Sequence, residues 1–382
     1  MRERSPGHWQ LRAFAGTDDR GRPVQVSRTF TGTRREATKA LARFVSETAA
    51  GNFVPTRATV GELLDKWLEH IEGLGRRPST IHGYRNKIDH TIRPALGHVK
   101  LSKLRADHLD SSYKKWSRQG LAPATVRQYH AILSAALHQA ERWGWIGHSP
   151  ARRATPPSVH QPRMHIPTSA QLSVLYNAAR ATDTVLATAI ALAAMTGLRR
   201  GELVALRWSD VDFANQSLRV ERAITVVEGV VHEGPTKTHQ VRQIALDQVA
   251  IDILKDRLHS MTELSEQAES PLVDDPYVLS YQAHGGIPVG PSTVTHRFWA
   301  LCRSQERVPA GTDGSSRKQW PYRFHDLRHF SVSTLVAAGV DIRTVSERHG
   351  HAQATMTLNR YAHALPERDR EAARLLGRAF TG

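Results

Sequence analysis

Residues 325–361 read HDLRHFSVSTLVAAGVDIRTVSERHGHAQATMTLNRY, and the organisation of the chain can be worked out from this stretch. His325 and Arg328 stand three positions apart, so on a helix they share a face while Asp326 turns elsewhere. Arginine presents a planar fork of donors that suits a phosphate, and histidine donates or moves a proton near neutral pH. His351 and Tyr361 follow near the end of the stretch. A phenol can act as a nucleophile and carry a covalent intermediate. An anion pocket with a tyrosine at its edge implies phosphoryl transfer, and the rest of the chain can be held against that idea.

The 382 residues predict two or three domains. Lys plus Arg number 52 against 36 Asp plus Glu, a net charge of +16 with a pI near 10.4. Such an excess points to an acidic partner, most commonly a nucleic acid, although charge alone also serves solubility. The single cysteine, Cys302, excludes an intrachain disulfide and fits a reducing compartment. A lone cysteine is more often a small buried hydrophobe than a nucleophile. No apolar run follows Met1, and Val185–Met195 has the length of a buried core helix rather than a membrane span. The expectation is an intracellular, cytoplasmic or nucleoid-associated protein with no membrane partner.

Three parts are expected in order. Residues 1–53 alternate over His8–Phe14 and again over Val24–Phe30, around a turn at Asp19–Arg22, and then turn helical with Ala37, Leu41 and Phe44 in register. This predicts a small sheet with one helix. Asn52–Ala58 reads as a linker. Residues 59–150 predict an all-helical domain of four or five helices. Thr59 and Glu62 form a capping box before the first of them. The second begins at Ser79 or Thr80 and ends at Pro94–Gly97; the third spans Asp107–Ser117 and the fourth Ala124–Trp143. Basic residues dot its polar faces, among them Arg76, Arg77 and Arg127. They are DNA-binding candidates, although solvated helix faces often look the same. Ala151–Pro167, rich in proline and carrying Arg152 and Arg153, reads as an extended linker able to contact phosphates.

Residues 168–382 predict a mixed α+β domain. Helices are expected at Ser169–Arg180 and Asp183–Thr196, and TGLRRGEL at 196–203 opens another that ends at Trp208–Phe213. Ser217–Val227, Val230–Glu233 and Gln240–Leu246 read as a β-meander, with Lys237 in its final turn. Further helices are expected at Asp247–Met261, Ser292–Arg307, Phe324–Ala338, Asp341–Arg348, Ala354–Tyr361 and Glu367–Leu376. Thr262–Pro276 reads as an acidic loop. The fold class is thus multidomain and mainly α.

Arg199, Lys237, His325, Arg328, His351 and Tyr361 mean little one at a time. In this order, within TGLRRGEL, PTKTHQVRQIAL at 235–246, HDLRH at 325–329, HGH at 349–351 and TMTLNRYAH at 355–363, they resemble the tyrosine recombinase (phage integrase) family. The resemblance covers the whole third part. More loosely, the helical part looks like the family's core-site-binding domain, and residues 1–53 like the arm-site-binding domain of some phage integrases. It implies that Tyr361 attacks the scissile phosphate and forms a 3′-phosphotyrosyl link. It further implies that Arg199 and Arg328 bind the non-bridging oxygens, that Lys237 protonates the leaving 5′-oxygen, that His325 assists proton transfer, and that His351 donates to the phosphate. Glu202 matches the acidic position that orients its neighbours. His349 departs from the family, which more often has leucine there. No cofactor or metal is implied. The partners implied are double-stranded attachment sites and three further copies, as a homotetramer on two DNA sites. A host DNA-bending protein and an excision factor are compatible with this but not demanded.

Such chemistry needs mainly positioning and fixed positive charge. A rival nucleophile, Tyr322, sits between Pro321 and a strand-like Arg323-Phe324, which suggests packing. A rival class is a zinc metalloprotease, because HDLRH places His325 and His329 four apart around an acid, with His349 or His351 as a third ligand. Asp in place of Glu, and Arg328 beside the dication, oppose it. A catalytically inactive DNA-binding regulator is the other alternative, and the presence of all six candidate residues speaks against that decay.

Overall fold

The structure is a computed structural model and describes residues 1–17, 23–49, 57–159, 165–236, 241–305, 322–350 and 378. The chain divides into two compact units, Met1–Gln161 and Pro162–Gly382.

The first unit contains two separate hydrophobic cores. At its start, strands β1 (Arg2–Ser5), β2 (His8–Thr17) and β3 (Pro23–Thr31) form an antiparallel sheet in that order. Helix α1 (Arg34–Ala49) lies on it. Alternation puts Trp9, Leu11 and Ala13 on one face, where with Val26 they meet Ala37 and Phe44. β1 was not anticipated, because RERS carries no apolar alternation; it is an exposed edge strand.

The second core belongs to helices α2 (Val60–Gly73), α3 (Pro78–Lys87), α4 (Arg93–Leu96), α5 (Ala106–Arg118) and α6 (Pro123–Arg142). Thr59 and Glu62 form the expected capping box. The second helix ends at Leu96 with Gly97 as its cap, within the expected Pro94–Gly97. A π turn over Ile88–Ile92 runs straight into α4, whose second residue is Pro94, and the wider turn accommodates a residue that has no N–H to donate. The expected linker is not free at its start. Pro150–Arg153 forms a 3-10 turn, Arg152 pairs with Glu141 at 3.0 Å, and the Thr155 N–H donates to Asp110 at 2.7 Å.

In the second unit, α7 (Ser169–Thr182) and α8 (Thr184–Thr196) come first. Asp183 caps α8 by accepting from the Leu186 N–H. α8 is buried nearly all round, as an apolar run of that length requires. After α9 (Arg200–Leu203) the helix expected to reach Trp208–Phe213 stops. Trp208–Asp210 is a 3-10 turn leading to β4 (Val211–Asp212). The expected meander is likewise replaced by two sheets. Its first strand breaks at Glu221 into β5 (Ser217–Val220) and β6 (Arg222–Val227). β6 and β7 (Val230–Pro235) form a hairpin, while β8 (Arg242–Ala245) returns to pair with β5, giving the order β4-β5-β8. The hairpin turn, Glu228-Gly229, has positive φ at both residues, the twist two antiparallel strands favour.

α10 (Gln248–Gln267) runs past the expected end into the acidic stretch, and α11 (Pro291–Gln305) follows. α12 (Asp326–Ala337) starts two residues later than expected, with His325 as its cap residue, and α13 (Ile342–His349) follows as expected. The core gathers around α8, against which α7, α10, α11 and α12 pack. Cys302 is fully buried in it as a small hydrophobe. Tyr322 is buried there too, which fits its packing role. No described helix is long and apolar enough to cross a membrane.

Candidate active site

The site is assembled at the C-terminal end of α13, where the last carbonyls of a helix have no partner within it and favour cations. Three consecutive carbonyls there are each met by a different arginine. Arg242 Nε, from β8, donates to the Arg348 carbonyl at 3.2 Å. Arg328 Nη2, from α12, donates to the His349 carbonyl at 2.6 Å, and Arg199 Nη2, from the start of α9, donates to the Gly350 carbonyl at 2.5 Å. Arg199 and Arg328, more than a hundred residues apart in sequence, are thereby brought onto adjacent peptide groups.

Each arginine is anchored a second time. Gly197 ends α8 in the left-handed conformation (φ 64°), and its carbonyl accepts from Arg328 Nη1 at 2.5 Å. That turn separates α8 from α9 and aims Arg199 at the site. Glu202, three residues on, accepts from the Arg199 N–H at 3.0 Å and from Arg199 Nη1 at 2.7 Å. Its other partner is Arg242 Nη2, at 2.5 Å. Burial would raise the Glu202 pKa. The hydrogen bond and charge of Arg242, with the charge of Arg199, more than offset it and hold the carboxyl below its ordinary range. Two guanidiniums thus share one buried carboxylate, with that of Arg328 on the next carbonyl, and the excess positive charge suits an anion. The neighbouring Arg200 is directed instead to Thr295 on α11, at 2.6 Å, so the two adjacent arginines do not act as a surface pair.

His325 is exposed at the head of α12, one turn before Arg328, with its ring edge-on to His329 at 4.9 Å between centroids. Asp326 is turned away and accepts from Arg323. Lys237, His351 and Tyr361 lie outside the described residues, as do the helices expected at Ala354–Tyr361 and Glu367–Leu376. The segments that lead to two of them are anchored. Thr236 is fully buried, and its N–H donates to the Glu221 carbonyl at 3.2 Å. Ahead of it, Glu233 accepts from the Tyr277 hydroxyl at 2.7 Å, and Arg207 stacks on the Tyr277 ring at 4.1 Å. Burial, and then Glu233, push the Tyr277 phenol up to about 12, so it stays a donor. Gly350, directly before His351, is the left-handed cap of α13.

His349 is fully buried beneath Gly197. Its Nδ1 lies 2.8 Å from the Val345 carbonyl and its Nε2 3.1 Å from Ser331 Oγ. Both ring nitrogens are therefore engaged, which accounts for a polar residue in a position suited to leucine and opposes its use as a metal ligand. Among the described residues, no three His, Cys, Asp or Glu side chains are grouped to hold a metal ion.

Sequence reasoning missed Arg242. Its signal was its register. Arg242 and Ile244 share the face of β8 that pairs opposite Val220 and Leu218, so an arginine stands where the alternation calls for an apolar residue. The DNA-contact candidates all belong to the first unit. Arg76, Arg127, Arg152 and Arg153 are exposed, and Arg77 is half-buried. Arg152 is engaged with Glu141, and Arg127 lies 3.4 Å from the Pro157 carbonyl.

Comparison with known proteins identifies the family. The phage integrase family matches residues 167–368, and the N-terminal SAM-like domain of phage integrases matches residues 59–117. A tyrosine recombinase XerC-like protein of Caldanaerobacter subterraneus subsp. tengcongensis is 24% identical, over 98% of this chain and 96% of its own length. The fold is similar to that of the Tn1549 transposon integrase in complex with a circular intermediate DNA, with TM-score 0.68 and 21% identity over 84% of this chain and 99% of that one. It is also similar to lambda integrase, solved as a tetramer bound to a Holliday junction, with TM-score 0.58 and 20% identity over 93% and 96% of the two chains. With the family match spanning more than half its length, the chain belongs to the phage integrase family of tyrosine recombinases.

Proposed function

We propose that this chain is a site-specific DNA recombinase that cleaves and rejoins attachment sites of a phage or other mobile element, with Tyr361 as nucleophile. The Tyr361 oxygen forms a bond to the scissile phosphorus as the bond to the 5′-oxygen breaks, leaving a 3′-phosphotyrosyl link. The departing 5′-oxygen takes a proton from Lys237. His325 assists in taking the proton that the Tyr361 phenol gives up, and His351 donates a hydrogen bond to the phosphate. Arg199 and Arg328 hold the non-bridging oxygens, where charge builds up in the transition state. Each such donor is worth about 10²–10³ in rate. The phosphotyrosine preserves the energy of the broken strand, so a 5′-hydroxyl from another strand reverses the step without ATP.

The observation that carries this reading is the placement of Arg199 and Arg328 on the successive carbonyls of Gly350 and His349, with Glu202 behind them. The same turn leads into His351 and, ten residues later, Tyr361. Residues 1–53 would bind arm sites and residues 59–150 core sites. The assembly would be a tetramer on two DNA sites in the bacterial cytoplasm, with a host bending protein and an excision factor as optional partners.

The test uses a nicked duplex made from candidate attachment DNA that the protein binds tightly, without divalent metal. A covalent protein–DNA adduct is expected from the wild type and none from Tyr361→Phe. Tight specific binding without an adduct from the wild type would instead support a catalytically inactive regulator.

A further inference from the structure

We infer that Arg242 is a positioning residue for strand cleavage, acting through Glu202 on Arg199; the inference rests on the recombinase reading above. Arg242 is half-buried, its side chain only 9% exposed, with two engaged nitrogens and one that is not. Its Nη2 donates to Glu202 Oε2 at 2.5 Å and its Nε to the Arg348 carbonyl at 3.2 Å. Its Nη1 is buried and has no hydrogen-bond partner among the described residues. A buried N–H left without an acceptor is costly, so its retention calls for an explanation. The explanation lies in what the other two nitrogens hold. Glu202 has only two oxygens. One takes Arg199 Nη1; the other takes the Arg199 N–H and Arg242. Arg242 thus sets the carboxylate that sets Arg199.

The second contact ties that setting to the segment leading to Tyr361. Arg242 grips the first of the three carbonyls whose second and third hold Arg328 and Arg199. A Cβ built on Gly350 would stand 3.2 Å from Arg242 Nη1 and 3.4 Å from Arg199 Nη1, so both guanidiniums close on the same α-carbon. β8 is held in turn by Arg348, whose guanidinium donates to the carbonyls of Ala245 and Met195, both at 3.1 Å. A lysine has the charge but not the reach, because one ammonium cannot meet both a carboxylate oxygen and a carbonyl from the directions a guanidinium does.

Arg242→Met, Arg242→Lys, Glu202→Gln and the Arg242→Met/Glu202→Gln double variant of the full chain separate positioning from mere stability. Without DNA, the Arg199 side-chain Nε–H signal in nitrogen-15 NMR should lose order in Arg242→Met. On tightly bound nicked DNA, single-turnover cleavage should fall about 10²-fold, the usual cost of misplacing a reacting group by an ångström. DNA affinity should change less than threefold. In the double variant, cleavage should be no slower than in Glu202→Gln alone, since the two residues act in series; independent structural losses would multiply. Arg242→Lys serves if the methionine variant does not fold, and should also lose Arg199 order. Wild-type order at Arg199 in either folded variant, or multiplying losses, would overturn the inference. If the wild type forms no adduct while Arg199 still loosens in the variants, the recombinase reading fails and the positioning role stands.

Discussion

Replacing Gly197 with alanine tests the architecture at its tightest point. Gly197 has φ 64°, and an added Cβ would overlap the His349 ring at Cδ2 and Nε2 and lie 3.3 Å from Ser331 Oγ. His349 is fully buried and bonded at both ring nitrogens, so it has nowhere to retreat. The left-handed backbone costs a residue with a Cβ about 1–2 kcal/mol, and forcing extra volume into a packed core about 1–3, so ~2–5 kcal/mol in all. For a unit of this size, each kcal/mol lowers the midpoint by about 2–4 °C, giving a fall of ~4–20 °C. Gly229→Ala is the control. Its φ is 82°, but nothing lies within 4 Å of its added Cβ, so only the backbone cost applies. Thermal unfolding of both variants separates the two terms. Because the Gly197 carbonyl anchors Arg328, strand cleavage should also fall by about 10²-fold in the Gly197 variant, as expected for a misplaced reacting group. Equal melting points for the two variants would show that His349 does not fill the space beneath Gly197, and the account of the turn would be wrong.

Glu202→Gln should change the acid limb of stability. The Glu202 carboxyl is held below its ordinary 4.5, so its charged-state stabilisation is full above that value and fades as pH falls through the lower folded value. The stability gap between wild type and variant, read from urea midpoints, should therefore be constant near neutrality and narrow below pH 4.5; a gap independent of pH would refute it. Arg152→Ala with Arg153→Ala should leave folding within about 1 kcal/mol, since the Arg152–Glu141 pair is largely exposed on the arginine side. It should weaken binding to all DNA sequences alike and flatten the salt dependence, its log–log slope falling by about 0.9 for each phosphate no longer neutralised. A weakening confined to one sequence, measured by competition, would instead assign base readout to these residues.

Much of this molecule was legible from local pattern. The capping box at Thr59, the buried helix after Asp183, the short helix before Gly350 and the alternating strands on either side of residues 18–22 all rest on neighbours within four residues, the range over which periodicity operates. Arg199, Glu202, His325 and Arg328 were recognisable because the short motifs that carry them, taken in order, resemble those of the family. Where local rules misled, longer-range pairing was the cause. The strand over 217–227 breaks at Glu221 because β5 takes β8 as its partner while β6 turns back on β7.

Only the tertiary structure decided where the arginines end. Beyond Glu202, their acceptors are backbone carbonyls, which every residue has and no motif distinguishes. The bond from Arg199 to Gly350 spans 151 residues, that from Arg328 to Gly197 spans 131, and that from Arg242 to Arg348 spans 106. The direction of a carbonyl depends on how a helix ends and what that end packs against, so the sequence named the two motif arginines and the acid beside them. The fold added Arg242 and the three successive carbonyls of α13, because a helix terminus must find donors and these three elements bring them.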